Sequence, residues 1–280
     1  MDALETKVER LERILEGLEG GVLVAFSGGV DSALLLSEAH RVLGTVCAAV
    51  TADSPTLPRS ELEEARRFAA RLGAEHILLR TREMEDPRFI ENGPRRCYFC
   101  KSALFEAMEA LAGERGDRWI LFGAIADDMG DWRPGMEAAR ERGARAPLLE
   151  AGLTKAEVRD LSRRRGLATW DKPQAACLSS RFPTGRPITL DDLGRVERAE
   201  DLLRGLGFRQ CRVRLMESAA RLELEGGDLA RACEEDLRKK ICEGFKGLGF
   251  QSVVLDLEGF RSGSLNPLRK ERTDGITGNS

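Results

Sequence analysis

The sequence predicts an α/β protein built on a doubly wound parallel sheet, followed by a smaller α+β domain. Two observations carry this. Short apolar runs alternate with segments of helical periodicity as far as about residue 166, the pattern of strands joined by crossover helices. After Pro187 the order changes to helix, strand, strand, helix, strand. The expected boundaries are 1–186 for the first domain, 187–268 for the second and 269–280 for a polar, aperiodic tail without fixed structure.

Leu4, Val8, Leu11, Leu15 and Leu18 mark one face of an opening helix. Strands are expected at Val22–Phe26, Thr45–Thr51, Ile77–Leu79 and Trp119–Phe122, separated by helical segments at 33–43, 59–72 and 98–112. Residues 131–146, rich in Arg and Gly, read as a mobile loop or a short helix. Another helix runs from Leu153 to Gly166, with Thr154 and Glu157 spaced as a capping box. In the second domain the helices are Leu190–Leu206 and Leu229–Phe245, and the strands Gln210–Leu215, Ala219–Glu225 and Ser252–Leu257. Gly205-Leu206-Gly207-Phe208 and Gly247-Leu248-Gly249-Phe250 each close a helix and open a strand, as two halves of a ferredoxin-like unit would.

The 280 residues carry a net charge of -3, so no global field draws nucleic acid and any anion site must be local. No apolar run reaches the roughly 20 residues that span a bilayer, and residues 1–20 are charged and amphipathic. A cytoplasmic protein is expected. Its seven cysteines are then reduced, and clustered ones read as metal ligands or catalytic groups. With only His40 and His76 present, a histidine-rich zinc site or a Ser-His-Asp triad is hard to build, and both are read as structural.

Ser27-Gly28-Gly29-Val30-Asp31-Ser32 follows the first strand and opens a helix. Such a turn aims backbone N–H groups and a helix N-terminus at one spot, which suits nucleotide phosphates. Asp31 offers a carboxylate to a divalent ion bridging those phosphates. An ordinary βα turn with a Ser cap uses the same residue types. Gly123 ends the fourth strand and permits close approach to a backbone or ligand. Asp127, Asp128 and Asp131 follow it, as does Arg133-Pro134-Gly135, and a solvated acidic loop accounts equally well for Asp131.

Cys97-Tyr98-Phe99-Cys100 is a C-x-x-C at a helix start. The spacing fits half a zinc site, a redox pair or two ligands of an iron-sulfur cluster. Cys177 stands alone among small residues in Ala175 to Arg181. Three thiolates would leave one iron of a 4Fe-4S cluster open, although three separate buried thiols fit the spacing equally. Cys47, Cys211, Cys233 and Cys242 fall in strands or helices and read as packing residues. Arg212 and Arg214 alternate with Val213 and Leu215, so both guanidiniums share a face. Arg212 would lie opposite Glu223 across the hairpin and could pair with it, or the two guanidiniums could grip a phosphate or carboxylate. Arg221, Glu223 and Glu225 are expected to face outward. The charged pair in Trp170-Asp171-Lys172-Pro173 has no role readable from the sequence.

S-G-G-V-D-S after an apolar strand resembles the pyrophosphate loop of the adenylating PP-loop ATPases, the adenine nucleotide alpha-hydrolase-like fold, and Leu153 to Arg159 resembles a helix shared by several branches. Gly123 to Gly135, W-D-K-P-Q-A-A-C-L-S-S-R, the C-terminal V-R and Asp256 to Asn266 together resemble the LarE family of ATP-dependent sulfur transferases of nickel-pincer nucleotide synthesis. The resemblance implies ATP and Mg²⁺, adenylation of a carboxylate of pyridinium-3,5-biscarboxylic acid mononucleotide, and conversion to a thiocarboxylate. It implies pyrophosphate binding by Ser27, Gly28, Gly29 and Ser32, Mg²⁺ at Asp31, and Gly123 near the adenosine. Cys177 takes the position of the sulfur-bearing cysteine, sacrificed in one branch. In another branch Cys97, Cys100 and Cys177 would hold a 4Fe-4S cluster that carries sulfide, and the C-x-x-C places this chain there. Arg212 and Arg214, with Arg181 and Arg261 as weaker candidates, would bind the substrate. Sulfide or a sulfur-donor protein is the implied partner, a hexamer the implied assembly. Glu197 and Glu200 could be interfacial metal ligands, yet read more simply as solvent-facing charges. An iron-sulfur tRNA-thiolating enzyme is the alternative.

Overall fold

A computed structural model describes residues 3–130, 134–173 and 176–261. In chain order the elements are α1 (Ala3–Glu16), β1 (Gly21–Ala25), α2 (Val30–Leu43), β2 (Cys47–Asp53), α3 (Arg59–Leu72), β3 (Glu75–Arg80), α4 (Pro87–Ile90), α5 (Arg96–Arg115), β4 (Asp117–Phe122), α6 (Pro134–Glu141), α7 (Pro147–Glu150), α8 (Lys155–Arg164), α9 (Leu190–Gly205), β5 (Cys211–Met216), β6 (Ala219–Leu224), α10 (Leu229–Ala232), α11 (Glu235–Gly247) and β7 (Ser252–Leu255). Asp131, Arg133, Gln174, Ala175 and the segment from Ser262 through the expected tail lie outside the described residues.

The chain divides into two compact units, Met1–Asp86 with Arg95–Ala175, and Pro87–Pro94 with Ala176–Ser280. The boundary expected at 187 falls inside the second unit. Hydrogen bonds tie Pro87–Pro94 to the segment before α9: Gly185 N donates to the Asn92 carbonyl at 2.9 Å, Ile188 N to Ile90 at 2.9 Å, and Asn92 Nδ2 to Pro183 at 2.8 Å.

In the first unit four parallel strands take the order β3-β2-β1-β4. Both faces of the sheet are covered, because alternate residues of one strand feed two cores. Val22 and Val24 point into a core with α1, α2, α3 and α8. Leu23 points the other way, with Ala48 and Val50, into a core with Phe105 and Met108 of α5. Leu34, Leu35 and Leu36 are all fully buried, so α2 is enclosed nearly all round; α1 and α8 pack against it. Residues 134–141, within the segment read as loop or short helix, form α6.

The second unit has a three-stranded sheet, order β5-β6-β7, with β5 antiparallel and β7 parallel to β6. A ferredoxin-like sheet is not present among the described residues. The two Gly-Leu-Gly-Phe segments echo each other for a local reason: both are the same helix stop. Gly207 and Gly249 take φ of 89° and 86°. Phe208 N donates to the Leu203 carbonyl at 3.1 Å, and Phe250 N to Phe245 at 3.1 Å. The single helix expected over 229–245 is broken at Cys233-Glu234 into α10 and α11, leaving Cys233 exposed between them. Among the described residues no helix is long and apolar enough to cross a membrane.

Candidate active site

The strand order decides where the first unit's crevice lies. From β1 the chain winds outward through β2 and β3, then returns to β4 on the other side of β1. The carboxyl end of β1 is therefore the switch point, where open α/β sheets bind ligands. Ser27–Ser32 occupies that end. Phe26 extends the strand by donating its N–H to Val50 at 2.8 Å and accepting from Thr51 Oγ1 at 2.6 Å. Gly28 then turns with φ of 74°, and Gly29 caps α2 with extended backbone and no side-chain cap bond, leaving the helix's first N–H groups uncapped by its side chain. Ser27 and Ser32 hydroxyls lie 3.1 Å apart, and Ser32 Oγ donates to Gly29 at 3.1 Å.

Gly123 has a structural requirement of its own. A Cβ there would lie 2.9 Å from Ser32 N and 3.1 Å from the Asp31 carbonyl carbon. Only a glycine lets the end of β4 approach the first turn of α2 this closely.

Two lysines reach this loop, Lys155 and the Lys172 whose role the sequence leaves unread. Lys155 Nζ donates to both Asp31 carboxylate oxygens, at 2.7 and 2.6 Å. Its position is fixed by the start of α8. Thr154 Oγ1 accepts from Glu157 N at 3.4 Å and Glu157 Oε2 accepts from Thr154 N at 2.8 Å, the expected capping box. Lys155 N donates to Asp127 Oδ2 at 2.8 Å, which gives one acid of the loop after β4 a task. Asp128 accepts from Ile125 N within the same loop at 3.0 Å.

Lys172 Nζ donates to the Gly28 carbonyl at 3.2 Å and to Glu61 and Glu64 at 2.7 Å each. Burial lowers its pKa, but the two carboxylates more than offset this and raise it. Arg159 holds the lysine's backbone in place, donating to the Trp170 and Lys172 carbonyls at 2.7 and 3.0 Å. Thus Leu153 to Arg159 is legible residue by residue: Leu153 and Val158 are buried, Thr154 and Glu157 cap, Lys155 meets Asp31, and Arg159 fixes Lys172.

Cys97 and Cys100 lie one turn apart at the start of α5, the first exposed and the second half-buried. Arg96 donates to Cys97 Sγ at 3.8 Å. This donor pair is chemically suited to a soft metal. Among the described residues no group of three or more His, Cys, Asp or Glu side chains is placed to hold a metal ion.

In the second unit Cys177 precedes a single turn, Leu178–Arg181. Arg181 is 1% exposed and folds back on this turn, donating to the Ala176 and Cys177 carbonyls at 2.8 and 3.1 Å. It also pairs with Glu200 at 2.7 and 2.9 Å. Arg214 donates to the Ser180 carbonyl at 2.6 Å and pairs with Glu223 at 2.8 Å. Both arginines therefore brace the segment carrying Cys177. Glu223 is fully buried, against the expectation that it faces outward, because both faces of the hairpin are covered; Arg221 also pairs with it at 3.0 Å. Glu200 is likewise fully buried, not solvent-facing. It sits four residues after Val196 and one after Ala199, on the apolar face of α9, a signal present in the sequence. Burial pushes its carboxyl pKa up, but Arg181 and the Val213 N–H outweigh this and hold it below the ordinary value.

Arg212 stacks over the Phe260 ring at 5.3 Å. Burial, reinforced by the charge of Arg181, lowers its pKa to about 10. Among Arg181, Arg212, Arg214, Glu200 and Glu223 the guanidiniums outnumber the carboxylates three to two, a balance that favours an anion. Arg261, half-exposed, pairs with Glu258 at 2.5 Å and Asp256 at 3.7 Å.

Residues 19–95 match the asparagine synthase family model. The pyridinium-3,5-bisthiocarboxylic acid mononucleotide synthase of Lactiplantibacillus plantarum is 37% identical over 267 residues, which span 95% of this chain and 96% of that one. This chain belongs to the LarE family. It is accordingly an ATP-dependent sulfur transferase with a PP-loop nucleotide-binding domain. A LarE-length relative in Synechocystis, an uncharacterized protein, is 44% identical over 94% of this chain and 98% of its own length. The tRNA-specific 2-thiouridylase MnmA of Heliobacterium modesticaldum is 27% identical over 55% of this chain and half of its own.

Proposed function

We propose that this enzyme adenylates a carboxylate of pyridinium-3,5-biscarboxylic acid mononucleotide and converts it to a thiocarboxylate for nickel-pincer cofactor synthesis. What carries the reading is the Ser27–Ser32 glycine turn at the sheet's switch point in a chain whose likeness to the Lactiplantibacillus plantarum synthase covers 95% of its length. The substrate carboxylate attacks the α-phosphorus of ATP and pyrophosphate leaves. A sulfur nucleophile then attacks the acyl carbon and AMP departs.

Ser27, Gly28, Gly29 and Ser32 bind the pyrophosphate, and Asp31 holds Mg²⁺, whose hard oxygen preference suits a carboxylate beside phosphates. Neutralising the leaving pyrophosphate is the main catalytic task there. Gly123 lies near the adenosine in this reading. Arg212 and Arg214, with Arg261, receive the substrate's anionic groups; Arg181, buried with its donors committed to Glu200 and the Ala176 and Cys177 carbonyls, supports the site instead by keeping the Cys177 segment in place.

Cys177 stands where the family's sulfur-bearing cysteine stands, and the C-x-x-C supports its use here as a ligand, with Cys97 and Cys100, of a cluster that carries the sulfide. A bound 4Fe-4S cluster supplies an open iron for a sulfide from solution or a donor protein. The enzyme then works repeatedly, in the cytoplasm, as a hexamer. Anaerobic reconstitution with iron and sulfide, read by absorption and Mössbauer spectra, tests this. A cluster lost in Cys97→Ala and Cys100→Ala supports it. An iron-free protein with full multiple-turnover activity contradicts it, and loss of the elements of hydrogen sulfide from Cys177 after one turnover points to sacrifice instead. The tRNA reading is disfavoured by the half-length match to MnmA and a net charge of -3.

A further inference from the structure

We infer that Lys155 is an exchangeable counter-ion for Asp31, occupying the carboxylate until a cation arrives together with nucleotide. The inference rests on the adenylation reading above. Lys155 Nζ spans both Asp31 oxygens at 2.7 and 2.6 Å, so both oxygens a divalent ion would use are engaged. The fold does not need this pair to place α8, because the Thr154–Glu157 capping box and the bond from Lys155 N to Asp127 already do so. The two side chains are 38% and 26% exposed, which leaves the pair weak enough to exchange. A lysine on its flexible four-carbon stem can also move away as a point charge. The other nearby ammonium, Lys172, is committed to Glu61 and Glu64 and cannot substitute.

The consequence is an order of binding. A divalent ion arriving alone meets a neutralised carboxylate and must displace an ammonium with nothing to receive it. An ion arriving on ATP brings phosphate charge that takes the ammonium over. Lys155 thus acts twice: through Asp31 it suppresses nucleotide-free metal binding, and once released it adds positive charge on the pyrophosphate side.

Mn²⁺ binding to the full chain without nucleotide, followed by electron paramagnetic resonance, tests this in wild type, Lys155→Gln, Lys155→Arg and Asp31→Asn. Lys155→Gln is expected to bind Mn²⁺ on the order of fivefold tighter than wild type, and Lys155→Arg to restore the wild-type value. In Asp31→Asn the site is lost. Lys155→Gln should also lower the rate constant of ATP-dependent AMP formation by roughly a hundredfold. Equal nucleotide-free Mn²⁺ affinity in wild type and Lys155→Gln overturns the inference, as does a Lys155→Arg variant that binds Mn²⁺ like Lys155→Gln. Wild-type enzyme that forms no AMP, beside an intact Mn²⁺ difference, overturns the adenylation reading and leaves the counter-ion standing.

Discussion

Glu200 and Gly123 each carry a single physical commitment that a substitution can test, a buried ion pair and a close backbone approach. Glu200→Gln leaves Arg181 buried without its carboxylate, and loss of one partner of a buried pair costs about 3–5 kcal/mol. Chemical denaturation of the variant at neutral pH measures this. Because the carboxyl pKa is held below its ordinary 4.5, its contribution is fully present above pH 4.5 and fades as pH falls through the lower folded value. Stability measured across this acid range should therefore fall more steeply in wild type than in Glu200→Gln. Gly123→Ala forces a methyl group to within 2.9 Å of Ser32 N and should cost about 1–3 kcal/mol, with weaker ATP binding by calorimetry because the loop must shift. The phosphate loop was legible because its chemistry is contiguous, Ser27 to Ser32. Lys155 was not: its partner lies 124 residues away in sequence, and an isolated lysine in a helix carries no local signal. Lys172 is hidden for the same reason, 144 residues from the Gly28 carbonyl.

The strands and the longer helices of the first unit follow from periodicity with end shifts of a few residues, whereas α7, a single turn at Pro147–Glu150, is too short to carry a periodic signal. Where periodicity alone was the guide, it failed at the break between α10 and α11, because Leu229, Ile241 and Phe245 keep an apolar rhythm across a short interruption at Cys233-Glu234. In sequence the repeated Gly-Leu-Gly-Phe suggests two halves of a ferredoxin-like unit, whereas its physical content is a left-handed helix stop. Substitution separates its two copies. At Gly249 a Cβ meets nothing within 4 Å, so Gly249→Ala should cost about 1 kcal/mol, from backbone conformation alone. At Gly207 a Cβ also comes 2.8 Å from Arg231 Nη2, so Gly207→Ala should cost more than Gly249→Ala in paired denaturant titrations. In the first unit, Thr154→Ala should cost about 1 kcal/mol by removing the α8 cap, and should slow AMP formation because the cap fixes the turn that carries Lys155.

At the scale of the whole molecule, the candidate residues are divided between the two units, with the C-x-x-C of Cys97 and Cys100 in the first. The first contains the nucleotide loop and its two lysines; the second contains Cys177 and the arginine-glutamate network around its turn. Their membership in one chain, matched over 95% of its length to a synthase of the same span, ties activation by ATP to sulfur transfer. Sequence composition alone excluded large classes, through the charge of -3 and the two histidines, but the reaction became readable only when separate motifs were combined. The central claim is best tested by anaerobic incubation with ATP, Mg²⁺, the pyridinium dicarboxylate mononucleotide and sulfide, with AMP, pyrophosphate and thiocarboxylate counted per enzyme by mass spectrometry. The account predicts AMP and pyrophosphate in equal amounts, matched by thiocarboxylate, at more than one of each per enzyme and abolished in Asp31→Ala. ADP with phosphate, or AMP released without any thiocarboxylate, would contradict it.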